Sequence, residues 1–327
     1  MKRRYVFRAD ASNQMGSGHV MRVYSIIERM LDKNLNVILV GNIVGLPWLT
    51  ELVEQLIGRV KFIEEESFVF HPLQDILIID SYTIEPDHDF LKKENWFKIV
   101  ALVEIGTPKY LADLYIHCGT NEQIGLEFGI LDYTLKSGLN YIPIRKSFQK
   151  IRFRLNVINV MKPIKILVVG GGTDPLGFVP KVARELIKVD EQFQAILFSN
   201  AQNLPHSLDY RFIQRNIGSD LENDLIDSDL ILTLSGTSSW EFLSCGFPLG
   251  VALGFDNQRD NFEFQTNNKI AIDIGKFSLI NGFDLNFENI RRLIIDKELR
   301  QELSQSALTK VDGYGVVRIV DEILKLN

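Results

Sequence analysis

A chain of 327 residues, 46% hydrophobic and 24% charged, has room for two domains of ordinary size and matches neither a disordered nor a membrane composition. Its formal net charge of -6 argues against a nucleic-acid partner, which needs clustered lysine and arginine. No apolar run reaches the roughly 18 residues of a membrane span, and Cys118 and Cys245 lie far apart, so a reducing cytoplasm is the expected compartment.

The start MKRRYVFRAD has an apolar run too short for a secretion signal, and Arg4 to Arg8 reads as a strand. From Val20 to Leu31 apolar residues fall at 20, 23, 24, 27, 30 and 31, the spacing of one helix face, with Asn34 as a stop. Asn36 to Val40 is a continuous apolar strand of the kind buried on both faces, so the chain opens strand, helix, parallel strand. The helical LPWLTELVEQLI leads to two more strands, Ile76 to Asp80 and Phe97 to Val103. Between Phe148 and Pro163 the pattern loosens into a basic and apolar stretch, and the domain junction is placed there, giving domains 1–155 and 156–327. Three strands follow in KILVVGGG, FQAILFSN and LILTLSG, with the helical VPKVARELIKV after the first; Val316 to Leu326 is an amphipathic tail able to pack on either domain. The expected fold is α/β, two parallel-sheet domains with a cleft, and ligands belong beyond the carboxyl ends of the strands.

Four loops follow predicted strands: ADASNQMGSGHVMR, Asp80-Ser81-Tyr82, Gly170 to Pro175, and Ser235 to Gly246. Neither glycine turn is a dinucleotide fingerprint, because Met21 and Pro175 stand where the last glycine belongs, and there is no P-loop and no Gly-x-Ser-x-Gly elbow. What Gly16, Gly18, Gly171 and Gly172 offer is backbone N–H groups that can approach an anion. At Ser235-Gly236-Thr237-Ser238-Ser239 hydroxyls crowd a helix start suited to a diphosphate, and Glu241 one turn on can accept from ribose hydroxyls. Ser238 and Glu241 equally spell a capping box that needs no ligand.

His19 sits between a Gly-Ser-Gly turn and an apolar helix pattern. As packing, it caps its own turn; as chemistry, it is a general base, with Asp10 at the preceding strand end to orient it and Tyr82 arriving from another loop. Asp80 and Tyr82 also fit a strand-end turn with an Asx bond and a packed ring. Metal chemistry is disfavoured. Histidines 19, 71, 88, 117 and 206 show no paired spacing, there is no Cys-x-x-Cys, and Asp87-His88-Asp89 follows Pro86 as first-turn acids do at a helix start.

RADASNQMGSGHVMR, DSY, YIPIRKSF, GGGTDP, SGTSSWE, DNQ and DGYG occur in that order from Arg8 to Gly315, and together they resemble the PseG/SpsG family of UDP-sugar hydrolases of pseudaminic-acid-type surface-glycan biosynthesis. The resemblance implies a GT-B architecture, two Rossmann-like domains facing across a cleft and related to MurG-type glycosyltransferases. It implies that His19 activates water against the anomeric carbon of UDP-2,4-diacetamido-2,4,6-trideoxy-β-L-altropyranose, with Tyr82 near the sugar and with no metal or cofactor. The 235–239 turn would meet the diphosphate, Glu241 the ribose, Asn257 and Gln258 the phosphates or sugar, and Ile217 the uracil. Arg22, Asp80 and Arg145, polar members of the matched motifs, join the expected substrate-binding set. In one departure, many relatives carry Asp-Asp after the fourth strand, where Ala101 to Ile105 here holds only Glu104, which leaves the sugar open. A glycosyltransferase with His19 deprotonating an acceptor hydroxyl, and a silent nucleotide-sugar binder, are the alternative readings.

Overall fold

The computed structural model describes residues 2–56, 60–130, 134–152, 163–200, 204–205, 208–218 and 221–327. These form two compact units, Met1–Lys146 with Tyr314–Asn327, and Ser147–Gly313. The first unit holds a sheet of β1 (Arg4–Ala9), β2 (Asn36–Val40), β3 (Val60–Ile63), β4 (Asp75–Asp80), β5 (Lys98–Leu102), β6 (Leu114–Ile116) and β7 (Leu135–Lys136). Their spatial order is β3-β2-β1-β4-β5-β6-β7 and their pairings are parallel. Helices α1 (Gly18–Asp32) and α2 (Pro47–Glu54) belong to the same unit.

Successive residues of β1 point to opposite faces, and both faces are covered. Tyr5 and Phe7 pack with Val20, Val23, Ile27 and Met30 of α1, whereas Val6 packs with Leu77, Ile79 and the aromatic group Phe68, Phe90 and Trp96. Double burial is why these strands read as unbroken apolar runs. Helix α1 ends where the stop was expected, Asn34 taking a left-handed φ of 55°.

The second unit repeats the plan. Its strands are β8 (Ile164–Val169), β9 (Phe193–Phe198), β10 (Phe212–Arg215), β11 (Leu230–Leu234), β12 (Leu249–Leu253), β13 (Ile272–Ser278) and β14 (Gly282–Leu285). They stand in the order β10-β9-β8-β11-β12-β13-β14, parallel except for the β13–β14 pair. The helices that follow are α3 (Phe178–Ile187), α4 (Thr237–Cys245), α5 (Arg259–Asn267), α6 (Phe287–Ile295) and α7 (Lys297–Lys310). Ile166 and Val168 of β8 pack with Phe178, Val182 and Leu186 of α3 and Leu293 of α6. In both sheets the strand order reverses beside the first strand, the Rossmann arrangement, whose ligand crevice lies where the order turns. The reversal is at β1–β4 in one unit and β8–β11 in the other.

The last helix, α8 (Gly315–Leu324), departs from the expected division at 155/156. That boundary lies outside the described residues; the units meet at Lys146/Ser147, and residues 314–327 return to the first unit instead of ending the second. The apolar stripe of α8, Val316, Ile319, Val320 and Ile323, completes the core around α1, and the Tyr5 hydroxyl donates to Asn327 Oδ1 at 3.0 Å. Gly315 makes the docking possible, since a Cβ there would lie 2.0 Å from the carbonyl oxygen of Ile142. No helix among the described residues is long and apolar enough to cross a membrane.

Candidate active site

The strand reversal in the first unit brings the loop leaving β1 next to the end of β4, where Ala9 pairs in register with Asp80. His19 occupies the first turn of α1 and is 4% exposed. Its Nδ1 lies 2.6 Å from Asp80 Oδ1. The guanidinium of Arg22, one turn on, grips the same carboxylate twice, Nε donating to Oδ2 and Nη2 to Oδ1, each at 2.6 Å. Nη2 also donates to Glu104 Oε1 at 2.9 Å. The Tyr82 hydroxyl donates to that same Glu104 oxygen, and the Tyr82 ring meets the His19 ring edge-on, with centroids 4.4 Å apart.

The charges of this cluster are set by competition between burial and Arg22. Burial alone would raise the Asp80 carboxyl, but Arg22 and then His19 outweigh it and hold it at about 2. Glu104 is lowered for the same reason, with burial opposed by Arg22. Burial works against the Arg22 cation, yet Asp80 and Glu104 keep it firmly protonated. An ionised carboxylate only accepts, so Nδ1 carries the proton in the His19–Asp80 bond, and in the neutral form of the ring the lone pair is on Nε2. Among the described residues, no protein group hydrogen-bonds Nε2. The contrast is His117, equally buried but spent: Nδ1 bonds the carbonyl of Val103 at 2.8 Å and Nε2 accepts from the Asn121 N–H. Cys118 borders the cluster, its thiol pushed up to about 12 by burial.

Several expected roles change. Asp10 does not orient His19; it accepts from Arg8 Nη1 at 2.6 Å and from the N–H of Asn42. The reason is strand alternation. Val6 faces away from α1, as do Arg8 and Asp10 in phase with it, whereas Ile76 and Ile78 face α1 and Asp80 follows them. Arg22 and Asp80, expected to touch substrate, are buried and spent on each other. Gly16, at φ 85°, gives its N–H to Ser12 O at 2.7 Å, closing a turn and not addressing an anion; Gly18 begins α1. Arg145 stays apart from the cluster, its charge acting on Glu28 more than two turns along α1. The turn after β4 is held by Ser81, whose Oγ accepts from the N–H groups of Thr83 and Ile84, so no Asx bond from Asp80 is needed. Glu104, set aside as a departure, is a full member of the cluster.

In the second unit the loops after β8 and β11 leave adjacent strands at the reversal, Val169 pairing with Thr233. Helix α4 starts from Gly236, which has no side chain to cap it. Ser238 and Glu241 are therefore displaced from the N-cap and N3 positions of a capping box. Ser239 is buried instead: its Oγ donates to Gly236 O at 2.7 Å and accepts from Gln265 Nε2 at 2.8 Å. Ser235 is also buried, its hydroxyl turned toward the carbonyls of Ala252 and Gln258, and so is not presented to a ligand. Gly236, Thr237 and Ser238 remain partly exposed, while Glu241 is 5% exposed. Gln258 leans over this start, its Nε2 3.1 Å from where a Gly236 Cβ would sit, and Asn257 beside it is exposed. Ile217 lies beyond β10, at the same sheet edge, its N–H held by Asn200 Oδ1 at 2.9 Å.

The glycine loop after β8 behaves differently from expectation. The Asp174 carboxylate accepts from the N–H groups of Phe178 and Val179 at 2.8 and 3.0 Å. It thereby fills the anion position at the start of α3. A Cβ on Gly170 would strike that carboxylate at 2.4 Å, and Gly171, at φ 89°, leads into Gly172 and the turn. Asp174 escaped the sequence reading because an acid three residues ahead of a glycine N-cap matches no capping pattern.

No group of three or more His, Cys, Asp or Glu among the described residues is placed to hold a metal ion. His88 of Asp87-His88-Asp89 caps its own turn, Nδ1 accepting from the N–H of Phe90. His206 lies outside the described residues.

No family model matches the chain. It is 26% identical over 287 residues to an uncharacterized protein of Methanocaldococcus jannaschii, covering 78% of this chain and 56% of that protein. It is 26% identical over 190 residues to a UDP-2,4-diacetamido-2,4,6-trideoxy-beta-L-altropyranose hydrolase of Campylobacter jejuni, covering 56% of this chain and 65% of that one. The chain thus spans less than two thirds of either relative's length. Among solved structures, MurG of Acinetobacter baumannii has a TM-score of 0.64 at 12% identity over 99% of this chain and 100% of its own. MnaA of S. aureus, solved with UDP, has a TM-score of 0.63 at 16% identity over 100% and 98%. At such identities the likeness is one of fold: the chain is GT-B-like, with two Rossmann-like units.

Proposed function

We propose that this protein hydrolyses a UDP-linked sugar, with His19 as the base that activates water. The observation that carries the reading is the His19–Asp80 pair, which fixes the imidazole tautomer and leaves Nε2 as an acceptor. Nε2 takes a proton from water, the water oxygen bonds to the anomeric carbon, and the bond from that carbon to the diphosphate breaks, its electron pair leaving with UDP. The imidazolium so formed faces two carboxylates, Asp80 and Glu104, against the single cation of Arg22. In the second unit, Gly236 to Ser238 at the start of α4 bind the diphosphate, Glu241 the ribose, Asn257 and Gln258 the phosphates, and Ile217 borders the uracil. The Campylobacter relative suggests a diacetamido-trideoxyhexose as the sugar, in pseudaminic-acid-type glycan synthesis, and the step is proposed to need no metal.

The rival reading is a transferase, favoured by the glycosyltransferases among the structures of like fold. UDP release from a panel of UDP-sugars, with chelator and without any acceptor, separates the two. Run in ¹⁸O-water, hydrolysis by a His19-activated water puts label in the free sugar. His19→Gln should lower kcat by about 100- to 10,000-fold while leaving UDP affinity unchanged. Label in UDP overturns the role of His19. UDP release that needs an added acceptor, or that chelator abolishes, overturns the metal-free hydrolase.

A further inference from the structure

We infer that Glu104 makes the His19 site selective for neutral sugars bearing hydroxyl or acylamino N–H donors, and turns away sugars that carry a carboxylate. The inference rests on the nucleotide-sugar reading above and adds the substituent chemistry. Both hydrogen bonds that the Glu104 carboxylate receives, from Arg22 and from Tyr82, arrive at Oε1. Oε2 has no hydrogen-bond partner among the described residues. The Glu104 side chain keeps 23% of its surface exposed, against 7% for Arg22 and 2% for Asp80 behind it. Glu104, with the partly exposed Tyr82 beside it, forms the accessible edge of a cluster whose Asp80, Arg22 and His19 are buried.

That edge is held in place. The Glu104 N–H donates to Thr107 Oγ1 and the Thr107 N–H returns to Glu104 O, each at 3.0 Å. Gly106 adopts φ 92° within this turn, with the Tyr82 ring standing over it, and a positive φ two residues into a turn is what glycine supplies. A carboxylate oxygen so fixed accepts from O–H and N–H groups and donates to none. Around His19 stand two carboxylates held ionised, Asp80 and Glu104, and one guanidinium, Arg22. A uronate carboxylate brings no donor and adds like charge, whereas a hydroxyl or acylamino substituent brings a donor and no charge.

The test is calorimetric titration of the whole chain with UDP, UDP-N-acetylglucosamine and UDP-glucuronic acid. The wild-type protein should bind the neutral sugar nucleotide at least about tenfold more tightly than the uronate. Glu104→Gln, which preserves shape and removes the charge, should narrow that ratio to about threefold or less and leave the affinity for UDP itself unchanged. An unchanged ratio in Glu104→Gln overturns the role. Equal or tighter uronate binding by the wild type overturns it too, and that measurement decides if the variant does not fold. Failure of the wild type to bind UDP is a different result: it overturns the nucleotide-sugar reading, and this inference with it.

Discussion

Asp80 touches His19 Nδ1 at 2.6 Å and is itself clamped by two hydrogen bonds from Arg22, also at 2.6 Å. The histidine is thus oriented by a carboxylate that cannot swing away, because moving it would strand a buried guanidinium. Strength here comes from mutual pairing, since an unpartnered charge at this depth would cost several kcal/mol.

Asp80→Asn should therefore lose both function and stability. Without the charge, the imidazole loses its tautomer control and kcat should fall about 100-fold or more, while breaking the buried pair should cost about 3–5 kcal/mol. Asp10→Asn disturbs only the link to Arg8 and Asn42, so kcat should stay near wild type. Steady-state kinetics and thermal melts of both variants check this; equal losses of kcat would return the orienting role to Asp10.

The pH dependence of stability should carry two opposite signatures. Asp80 has its folded pKa depressed, from 3.8 to about 2, so its contribution is fully present above pH 3.8 and is lost as pH falls toward 2. Glu104 moves in the same direction. Asp174 runs the other way: burial raises it from 3.8 to about 6, so stability is highest below 3.8 and declines as pH rises through 6. Melting temperature against pH should show Arg22→Gln shrinking or abolishing this acid loss, because without the guanidinium burial lifts both folded carboxyls back toward or above their unfolded values. Asp174→Asn should remove the decline between about pH 4 and 6.

At the start of α4 the two serines should separate. Ser239→Ala strands the buried Gln265 amide, a loss of about 1–3 kcal/mol. Ser238→Ala breaks no cap, so it should cost less than the roughly 1 kcal/mol of a lost N-cap and should weaken UDP binding. Melts with calorimetry distinguish them; a large stability loss in Ser238→Ala would reinstate the capping box.

Gly315→Ala should loosen the return of α8 to the first unit. Its Cβ would sit 2.0 Å from Ile142 O, a clash that only a backbone shift relieves, at a cost of about 1–3 kcal/mol. The melting temperature should fall and proteolysis should release the tail first. An unaltered melt would mean that α8 adds little to the unit.

Much of the site was within reach of strand parity. Ile76 and Ile78 face α1, as do Val100 and Leu102, and Leu114 and Ile116. Counting on by twos reaches Asp80 at the end of its strand and Glu104 and Cys118 just past theirs, the residues grouped around Arg22 and His19. Proximity in sequence suggested Asp10 instead, and parity excludes it, because Asp10 counts with Val6, on the opposite face.

The amino-acid sequence alone determined the local elements: the apolar runs of β1, β2, β4 and β8, the one-sided periodicity of α1 and α3, and the Asn34 stop. These follow from short-range rules of alternation, helical phase and backbone sterics. Tertiary structure decided what depends on neighbours far along the chain. Parallel pairing of β1 with β4 set Asp80 beside His19 across 61 residues. The return of α8 put the end of the chain into the first core, a choice that an amphipathic stripe leaves open, because any complementary apolar face satisfies it. Whether a polar group serves structure or chemistry also waited on packing: the Asp174 carboxylate is used up by helix N–H groups, whereas His19 keeps Nε2 available because Asp80 and Arg22 satisfy everything behind it.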